Sequence, residues 1–595
     1  MLNKVKCKEK FKKRDGEIVN FNINMNRFKD ALYPIREVRD LKTLVNESAS
    51  LYGNRDAFLV KDTPGGQYRA IKYQQFKEDI DALGTALLDL GLGGRKVAVI
   101  GENRYEWVVS YLATVNSGSV IVPLDRELPV GELHHLLEKS GVSAVIYSGK
   151  VEIAIEEACQ GISSIDFTIS MDANLNRGQN LSFKLLLEKG RKLLMEEKRF
   201  FLDAVIDPDK LAIILFTSGT TGLAKGVMLT HKNLCANLMG ISQFVKLSGD
   251  DTALSILPIH HTYEFTGDIM TPIYQGACVA FCEGLKYIVK NMAEARATIL
   301  VGVPLIFESM HKKVWRKAES TGKAVKLRQA VNIAKTLNML NIKAARRLFK
   351  SVHEALGGNA RMFIVGAAAT DPAVIEDFNA MGITMFQGYG MTECSPLISV
   401  NKDRYFKAAS VGLPIPGTEV RIVDQDENGI GEIICKSDSV MMGYYENPEE
   451  TAKVLKDGWM YTGDYGYFDK DGFLYISGRK KNVIVTKNGK NIFPEEVEFY
   501  VNKSDYISEV VVWGLEDPES GETVVCAEIV PDFELISEEF GRLSDEELRR
   551  LISKDVDSAN EKMSVYKRIK RFEIRETEFE KTTTKKIKRH TAVKR

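Results

Sequence analysis

Short apolar runs rich in β-branched residues alternate with amphipathic helical segments over residues 41 to about 390. In the segment 73–88, for example, apolar residues recur every three or four positions, which is the spacing of one face of a helix. The strand-like runs are 96–101, 119–124, 143–149, 211–216, 252–257, 298–303, 361–365 and 384–387. Strands and helices that alternate at this spacing predict βαβ units and a mostly parallel sheet with helices on both faces.

Antiparallel hairpins replace this pattern beyond residue 415. Two strand-like runs flank an Asn-Gly pair at 428–429, and two more flank an Asp-Gly pair at 471–472. Both dipeptides favour the tight turns that join antiparallel strands. A smaller α+β unit follows, and its strand-like and helical segments are 509–513, 523–530 and 544–556.

We therefore predict an α/β protein with a basic N-terminal arm and two domains. The arm covers residues 1–40. A large domain, residues 41–480, contains parallel-rich sheets covered by helices and a β-rich subdomain. A small α+β C-terminal domain covers residues 481–595. A chain of 595 residues is too long for one hydrophobic core, so the length also requires several domains.

The composition is that of an ordinary globular protein, with 44% hydrophobic and 27% charged residues. Lys plus Arg and Asp plus Glu balance at 81 each, which gives no support for a nucleic-acid partner. The eight cysteines have no metal-binding spacing and indicate a reducing compartment. No signal peptide is evident and every apolar run is too short to span a membrane, so we expect a cytoplasmic protein, at most peripheral to a membrane.

One helical segment, 311–355, is strongly basic, with twelve Lys or Arg residues against Glu319 and Glu354. Apolar residues recur through it at helical spacing, so it predicts a pair of amphipathic helices. Such helices could lie on an anionic membrane surface or bind an acidic carrier protein. The simpler interpretation, a solvated basic face of an ordinary helical hairpin, stays open.

A loop rich in Gly, Ser and Thr follows the apolar run 211–216 and contains one lysine. Glycines allow backbone N–H groups to approach anionic oxygens, hydroxyl groups donate hydrogen bonds, and the lysine adds positive charge, so the loop predicts a phosphate site. It does not fit the Gly-x-x-x-x-Gly-Lys-Ser/Thr pattern of a Walker A loop. The residues predicted to contact phosphate are Thr217, Ser218, Gly219, Thr220, Thr221, Gly222 and Lys225.

A second glycine-rich block, 386–393, ends in Thr392 and Glu393. Glu393 offers the hard oxygen ligand that Mg²⁺ prefers, and Thr392 offers a hydroxyl donor beside it. The neighbouring residues of interest are Gly388, Tyr389 and Gly390, where an aromatic ring between two glycines could stack on a base.

Together the two motifs resemble those of the adenylate-forming (ANL) superfamily, which includes acyl-CoA synthetases, luciferases and peptide-synthetase adenylation domains. The resemblance extends over roughly residues 41 to 590. It implies ATP as a substrate, with Glu393 and Thr217 as ligands of Mg²⁺.

Three further blocks are similar to motifs of the same superfamily. The first implies that Gly366 and Ala367, with the small residues that follow, lie against adenine. In the second, Asp464 would accept hydrogen bonds from both ribose hydroxyls. The third implies that Arg479 lies near ribose and phosphate, and that Lys481 is the hinge of a mobile C-terminal domain.

The block 257–265 is similar to the motif that gates the acyl site of the superfamily. Registration on its Leu-Pro-x-x-His pattern favours His261 over His260 as the gating residue. Phe265 would line the acyl channel.

The last motif, near the C-terminus, departs from the superfamily pattern. Lys586 aligns with the catalytic lysine, and Lys585 is the second candidate for that role. Glu580 replaces the usual Pro and Lys585 replaces the usual Gly, so this loop is more restricted and carries a second ammonium group.

The resemblance implies a two-step reaction. Lys586 bridges a carboxylate and the α-phosphate of ATP to give an acyl-adenylate, and rotation about Lys481 then brings the segment 485–490 towards the site so that a thiol displaces AMP. Several blocks look most like those of long-chain fatty-acid–CoA ligases, which use ATP, Mg²⁺ and CoA. Three alternatives stay open: a fatty acid–acyl-carrier-protein ligase, a peptide-synthetase-type adenylation enzyme, and a non-catalytic relative that binds nucleotide or lipid.

Overall fold

The computed structural model of the chain describes six segments. They are residues 31–217, 224–339, 345–486, 490–517, 522–581 and 587–592. The α-helices of these segments are α1 Leu41–Tyr52, α2 Tyr73–Asp89, α3 Tyr105–Val115, α4 Val130–Ser140, α5 Glu152–Ala158, α6 Phe183–Met195, α7 His231–Ser242, α8 Thr271–Gln275, α9 Ile288–Glu294, α10 Pro304–Ser320, α11 Ala324–Met339, α12 Ala345–Leu348, α13 Lys350–Ala355, α14 Pro372–Ala380, α15 Pro448–Val454, α16 Pro494–Val501, α17 Phe533–Phe540, α18 Asp545–Glu561 and α19 Arg589–Ala592.

The β-strands follow the same order along the chain. They are β1 Asp56–Val60, β2 Arg69–Lys72, β3 Lys96–Ile100, β4 Val120–Leu124, β5 Ala144–Tyr147, β6 Phe167–Ser170, β7 Asn180–Ser182, β8 Leu211–Thr217, β9 Lys225–Thr230, β10 Thr252–Ser255, β11 Cys278–Phe281, β12 Ile299–Gly302, β13 Met362–Val365, β14 Thr384–Gly390, β15 Leu397–Val400, β16 Leu413–Pro414, β17 Thr418–Val423, β18 Gly431–Ser437, β19 Gly443–Tyr444, β20 Leu455–Lys456, β21 Trp459–Phe468, β22 Leu474–Arg479, β23 Ile484–Val485, β24 Asn491–Ile492, β25 Ile507–Glu516, β26 Thr523–Pro531 and β27 Ile569–Ile574.

Two large, mainly parallel sheets form the first part of the molecule, which confirms the predicted α/β class. One has the strand order β16-β15-β14-β13-β12-β10-β11-β1-β2, and the other has the order β19-β9-β8-β4-β3-β5-β6-β7. The largest buried cluster contains side chains from both sheets and from helices α1, α2, α3 and α7. Strands such as β5 are buried at every position, as expected of parallel strands with both faces covered.

The β-rich part beyond residue 415 is a five-stranded sheet of antiparallel pairs. Strands β17 and β18 form the first predicted hairpin, with Val423 opposite Glu432. Strands β21 and β22 form the second, with Phe468 opposite Leu474. Glycines at the turns, Gly429 and Gly472, have positive φ angles of 77° and 83°, which explains the preference for Gly there.

The basic segment folds as α10 and α11 followed by the shorter α12 and α13. Gly322, with a φ of 66°, lies in the turn that separates α10 from α11. Among the described residues, no helix is both long and apolar enough to cross a membrane.

The C-terminal part has its own three-stranded sheet, β25-β26-β27, and its own buried cluster with side chains from α16 and α18. Helix α18 begins at a capping box in which Ser544 and Glu547 bond each other's backbone N–H groups. Among the described residues, two ion pairs join this part to helices of the first part: Lys312 Nζ on α10 lies 3.2 Å from Asp505 Oδ1, and Lys503 Nζ lies 3.5 Å from Oδ2 of Asp371, which caps α14.

Candidate active site

The predicted phosphate loop connects two paired strands, β8 and β9. Its residues Ser218, Gly219, Thr220, Thr221 and Gly222 lie outside the described residues. At its two ends, Thr217 pairs with Lys225 across the hairpin, and Thr217 Oγ1 donates to the Lys225 carbonyl at 3.4 Å. The loop therefore connects two antiparallel strands of a hairpin, and not a strand and a helix as in a Walker A site.

The Lys225 side chain points towards helix α15. Its Nζ lies 2.5 Å from Glu450 Oε2 and 5.1 Å from the centre of the Tyr444 ring. Hydrogen bonds from Lys225 and then from Lys453 hold the pKa of Glu450 down at about 2. The Glu450 backbone N–H donates to Oδ1 of Asn447, the residue that caps this helix. Glu450 is therefore an ionised partner of the predicted phosphate-binding lysine.

Glu393 lies on the other side of Tyr444. It belongs to a short 3₁₀ turn, Thr392–Cys394, that directly follows β14. The Tyr444 hydroxyl donates to Glu393 Oε1 at 2.8 Å, and the Met441 N–H donates to the Glu393 carbonyl at 2.8 Å. Tyr444 thus brings together the predicted magnesium ligand and the predicted phosphate-binding lysine, which are 168 positions apart in the chain.

The glycines of the second block are required by strand packing. A Cβ on Gly390 would lie 2.0 Å from the carbonyl oxygen of Pro396, and one on Gly388 would lie 3.1 Å from that of Ser399. Between them, the Tyr389 hydroxyl donates to Asp464 Oδ2 at 2.7 Å. Burial and the Asp464 carboxylate raise the pKa of Tyr389 well above its usual value, so the phenol stays neutral.

Asp464 also connects this block to the predicted hinge. It lies opposite Arg479 in the β21–β22 pair, and Arg479 Nε approaches Asp464 Oδ1 at 3.2 Å. Lys481 follows two residues later, and its pKa is lowered by burial and then by the positive charges of Arg479 and Arg589. The structure therefore gathers Tyr389, Asp464 and Arg479 in one place, with Lys481, the predicted hinge residue, beside them.

The predicted adenine-side residues follow β13. A Cβ on Gly366 would lie 3.0 Å from the Tyr263 hydroxyl, and Ala367 has a left-handed φ of 72°. The Tyr263 hydroxyl lies 3.3 Å from the carbonyl oxygens of both Gly302 and Ile364. Tyr263 therefore packs beneath this loop, a contact that sequence reasoning missed.

The predicted acyl gate lies at the start of a π-helix, Tyr263–Met270. His260 and His261 have ring centres 4.3 Å apart, and burial lowers the pKa of His260 to about 3. Phe265 is buried, with its ring centre 3.9 Å from that of Tyr111. The gate is therefore packed among neutral rings, and π-helical turns of this kind are frequent at functional sites.

Two buried carboxyl groups in the same π-helix were not predicted. Glu264 accepts from Ser255 Oγ at 2.5 Å, and from Asn103 Nδ2 and the Leu257 N–H at 3.3 Å each. Burial raises the pKa of Glu264 to about 8. Burial and then Glu264 raise the pKa of Asp268, whose two carboxyl oxygens have no hydrogen-bond partner among the described residues. The sequence signal that could have identified them is the presence of two acidic residues in the mainly apolar segment Tyr263–Met270.

Comparison with known proteins places this geometry in a family. The family described as "AMP-binding enzyme" matches residues 45–445, and the one described as "AMP-binding enzyme C-terminal domain" matches residues 481–595. The chain belongs to the AMP-binding enzyme family.

Among its relatives, long-chain-fatty-acid–CoA ligase 5 of Rattus norvegicus is 30% identical over 499 residues, which is 79% of this chain and 72% of that protein. Fatty acyl-CoA synthetase B of Dictyostelium discoideum is 28% identical over 552 residues, 87% of this chain and 80% of the relative.

Solved structures share the fold over nearly the whole chain. An anthranilate CoA ligase in complex with anthranoyl-AMP has a TM-score of 0.73 at 21% identity, with 95% of this chain and 98% of that chain covered. ATP-bound MatB from Rhodopseudomonas palustris has a TM-score of 0.70 at 24% identity, with 93% and 98% covered.

The last family motif is described only at its ends, and both Lys585 and Lys586 lie outside the described residues. Lys581 and Ile587 form an isolated antiparallel bridge, and the Lys588 N–H donates to the Glu580 carbonyl at 2.8 Å. The ends of this loop are therefore held together.

Arg589, just beyond the loop, forms an ion pair with Glu498 and donates to the Val512 carbonyl at 3.1 Å. Its charge also lowers the pKa of Lys481, so the end of the motif lies near the predicted hinge.

The segment 485–490, which is predicted to approach the site in the second step, is described only in part. Residues 487–489 lie outside the described residues, and Lys490 Nζ lies 4.7 Å from the centre of the Tyr566 ring.

The residues that could hold Mg²⁺ are few. Among the described residues, no group of three or more His, Cys, Asp or Glu side chains has a metal-binding arrangement. Glu393 and Thr217 nevertheless offer the hard oxygens that this ion takes together with substrate phosphates and water. Thr217 pairs with Lys225, the predicted phosphate-binding lysine, and Tyr444 contacts both Lys225 and Glu393. The donor set therefore fits an ion that binds with the nucleotide.

Proposed function

We propose that this chain is an AMP-forming fatty-acid–CoA ligase that acts on a long-chain acid. The observation that carries the proposal is the cluster in which Tyr444 joins Lys225 to Glu393. A cation and a carboxylate contact the same tyrosine there, and Thr217, at the start of the predicted phosphate loop, pairs with Lys225. A reaction between two anions requires such charge neutralisation. The similarity to long-chain-fatty-acid–CoA ligases supports the choice of acid and of CoA.

In the first step, an oxygen of the fatty-acid carboxylate attacks the α-phosphorus of ATP, and the bond to the β-phosphate breaks. Lys586 neutralises charge on the carboxylate and the α-phosphate, while Lys225 and the loop hold the departing pyrophosphate. Mg²⁺ bound at Glu393 and Thr217 would neutralise further phosphate charge. Thr392, on the same turn as Glu393, donates to a phosphate oxygen.

The nucleoside lies against the group formed by Tyr389, Asp464 and Arg479, with Gly366 and Ala367 on the adenine side. Asp464 accepts from the ribose hydroxyls, for which the Tyr389 hydroxyl and Arg479 orient it. In the second step, the thiol of CoA attacks the acyl carbon, and the bond from that carbon to the AMP oxygen breaks. Between the two steps, the C-terminal domain rotates about Lys481 and so changes which of its residues face the substrate.

The acid enters past His261, with Phe265 in the wall of its channel. Phe265 is buried and His261 is half-buried, and burial keeps the neighbouring His260 neutral although Asp125 Oδ2 lies 3.7 Å from its Nε2. The buried aromatic ring of Phe265 suits a hydrocarbon chain.

A peripheral contact with anionic lipid forms part of the proposal. The exposed basic residues of the helices α10 to α13 and the turn between α10 and α11 are Lys312, Lys313, Arg316, Lys317, Lys323, Lys326, Arg328, Arg346, Arg347 and Lys350. Val325 and Ile333 on α11 are 70% and 57% exposed, so apolar side chains accompany this charge. A surface with both properties suits an anionic membrane, where a fatty acid accumulates. Binding to vesicles of phosphatidylserine and phosphatidylcholine, but not of phosphatidylcholine alone, tests this contact.

The decisive experiment measures AMP release by the purified chain with ATP and Mg²⁺, using palmitate, octanoate or benzoate. CoA and an acyl carrier protein serve as alternative acceptors. We expect AMP with palmitate and CoA. The variant Lys586→Ala should lose this activity, whereas Lys588→Ala, which removes the same charge two residues away, should keep it.

Two other outcomes would replace the proposal. AMP release with carrier protein alone would make the chain a fatty acid–acyl-carrier-protein ligase, an alternative favoured by the same basic surface, which could bind an acidic carrier protein. ATP binding without AMP release from any acid would instead indicate a relative that binds nucleotide without catalysis.

A further inference from the structure

Lys225, which the proposed function assigns to phosphate binding, already forms an ion pair with the carboxylate of Glu450. Glu450 Oε2 lies 2.5 Å from Lys225 Nζ, and the second oxygen of Glu450 forms an ion pair with Lys453. The side chains of Lys225 and Glu450 are 17% and 25% exposed. The pair is therefore only partly exposed to water, so the charge–charge contact is stronger than one at an open surface.

The position of Glu450 is set by its own helix. Its backbone N–H donates to Asn447 Oδ1 at 3.1 Å, and the Thr451 hydroxyl donates to the Asn447 carbonyl at 2.8 Å. The Tyr444 N–H in turn donates to Thr451 Oγ1 at 2.9 Å. The first turn of α15 is thus fastened to the strand that carries Tyr444, so Glu450 is held against Lys225 by the fold.

A phosphate chain needs the same ammonium group. Pyrophosphate and the phosphates of ATP are polyanions that bind lysine through charge-assisted hydrogen bonds, as a carboxylate does. A lysine that makes a short contact with a resident carboxylate offers less positive charge to an incoming anion. The binding-competent form, with Lys225 turned away from Glu450, is then only a fraction of the population.

We propose that Glu450 is an internal competitor for Lys225, which the phosphates of ATP must displace and which speeds the departure of pyrophosphate. This inference rests on the proposed function, because it takes Lys225 to be a phosphate ligand. It concerns regulation of affinity at that site rather than the chemical step. Glu450 keeps its ion pair with Lys453 when Lys225 turns away to the phosphates, since Lys453 already contacts its other oxygen.

The opposite role, in which Glu450 orients Lys225 towards phosphate, predicts the opposite sign. Removal of an orienting group weakens binding, whereas removal of a competitor strengthens it. The sign of the change in affinity therefore separates the two roles, and a general structural defect does not imitate tighter binding.

The test is isothermal titration of ATP and, separately, of inorganic pyrophosphate, both with Mg²⁺ and without any fatty acid. Glu450→Gln keeps the shape of the side chain and removes its charge. We expect it to bind both ligands roughly three- to tenfold more tightly than the original chain. Glu449→Gln, an exposed neighbour on the same helix, removes the same charge and should leave both affinities unchanged.

The dependence on Lys225 is tested by a second pair of variants. In a Lys225→Met background, the further change Glu450→Gln should have no effect, because the competition needs the lysine. Weaker or unchanged binding by Glu450→Gln, or equal tightening by Glu449→Gln, would overturn the proposal.

Failure of the proposed function gives a different pattern. A chain that binds ATP but releases no AMP from any acid contradicts the ligase assignment, while the effect of Glu450→Gln on pyrophosphate binding can still be read. A chain that binds neither ATP nor pyrophosphate contradicts both inferences.

Discussion

The phosphate side and the acyl side of the candidate site treat titratable side chains in opposite ways. On the phosphate side, Lys225 and Glu450 are partly exposed and form a direct ion pair. On the acyl side, Glu264 and Asp268 are fully buried. Burial raises the pKa values of these two carboxyl groups, so they stay protonated at pH values well above those at which carboxyl groups usually ionise.

The difference shows that residue type alone does not decide charge within one site. A carboxyl group beside a lysine stays ionised, whereas the buried carboxyl groups of Glu264 and Asp268 are neutral because burial removes the water that would stabilise their charge. His260 follows the same rule, since burial holds it neutral. This difference in charge is consistent with the proposed roles, in which the phosphate side binds polyanions and the acyl side binds a hydrocarbon.

The largest effect on activity is expected on the phosphate side, from the substitution Glu393→Gln. This change removes the carboxylate assigned to Mg²⁺ but keeps an acceptor for the Tyr444 hydroxyl. We expect kcat/KM for AMP release to fall about 100- to 1000-fold, and the Mg²⁺ concentration for half-maximal rate to rise. Initial rates measured over a series of Mg²⁺ concentrations check both.

The control for this variant is Glu427→Gln, in an exposed hairpin turn. It removes the same charge far from the cluster and should leave kcat/KM within about twofold, as most surface substitutions have little effect. Equal rates for the two variants at every Mg²⁺ concentration would remove Glu393 from the site.

On the acyl side, we expect a large effect of pH on stability through Glu264. The folded chain holds this proton up to a pKa of about 8, whereas an unfolded Glu releases it near pH ~4.3. The unfolded state therefore binds fewer protons between these values, and the free energy of unfolding decreases as the pH rises through this window.

Glu264→Gln should remove much of this decrease, which we expect to be roughly 2–4 kcal/mol between pH 5 and pH 8. Urea unfolding at several pH values measures it, with Glu427→Gln as the exposed control. Asp268 has the same sign and remains in the variant, so a residual decrease is expected. If the two variants showed the same pH dependence, Glu264 would be ionised in the folded chain.

A moderate effect is expected from Phe265→Leu in the wall of the acyl channel. A smaller side chain there leaves space beside Tyr111, which lies 3.9 Å away between ring centres. We expect the ratio of kcat/KM for longer over shorter saturated acids to rise about threefold to tenfold, while KM for ATP stays unchanged.

The matched control is Phe378→Leu, a buried phenylalanine on α14 in a separate cluster. It should lower stability by a similar amount, on the order of 1 kcal/mol, without a change in chain-length preference. A shift of preference in the control as well would assign the effect to lost stability.

Local patterns were sufficient to predict much of the fold. The Asn-Gly and Asp-Gly pairs are found in the predicted hairpin turns, where Gly429 and Gly472 have positive φ angles that favour glycine. Apolar runs without alternation predicted strands that are buried on both faces, as β5 is. These features depend only on neighbouring residues.

Long-range partners could not be predicted in this way. Glu450 lies 225 positions after Lys225, and nothing in the local sequence of either residue indicates that they meet. The π-helix Tyr263–Met270 was not predicted, because the spacing of backbone hydrogen bonds in a π-helix cannot be recognised from so short an apolar pattern. The assignment of Lys586 stays a prediction, since it lies outside the described residues.

The smallest effect is expected from Tyr444→Phe, at the point where the charged groups meet. The variant keeps the ring beneath Lys225 and loses the hydroxyl that donates to Glu393 Oε1 at 2.8 Å. Loss of one hydrogen bond to a carboxylate should raise the half-maximal Mg²⁺ concentration about threefold to tenfold, with little change in affinity for ATP measured without the metal. Tyr445→Phe is the matched control, because its hydroxyl accepts from Lys96 and lies away from Glu393. If Tyr444→Phe changed ATP affinity without the metal as strongly as it changed the Mg²⁺ requirement, the hydroxyl would act on Lys225 rather than on Glu393.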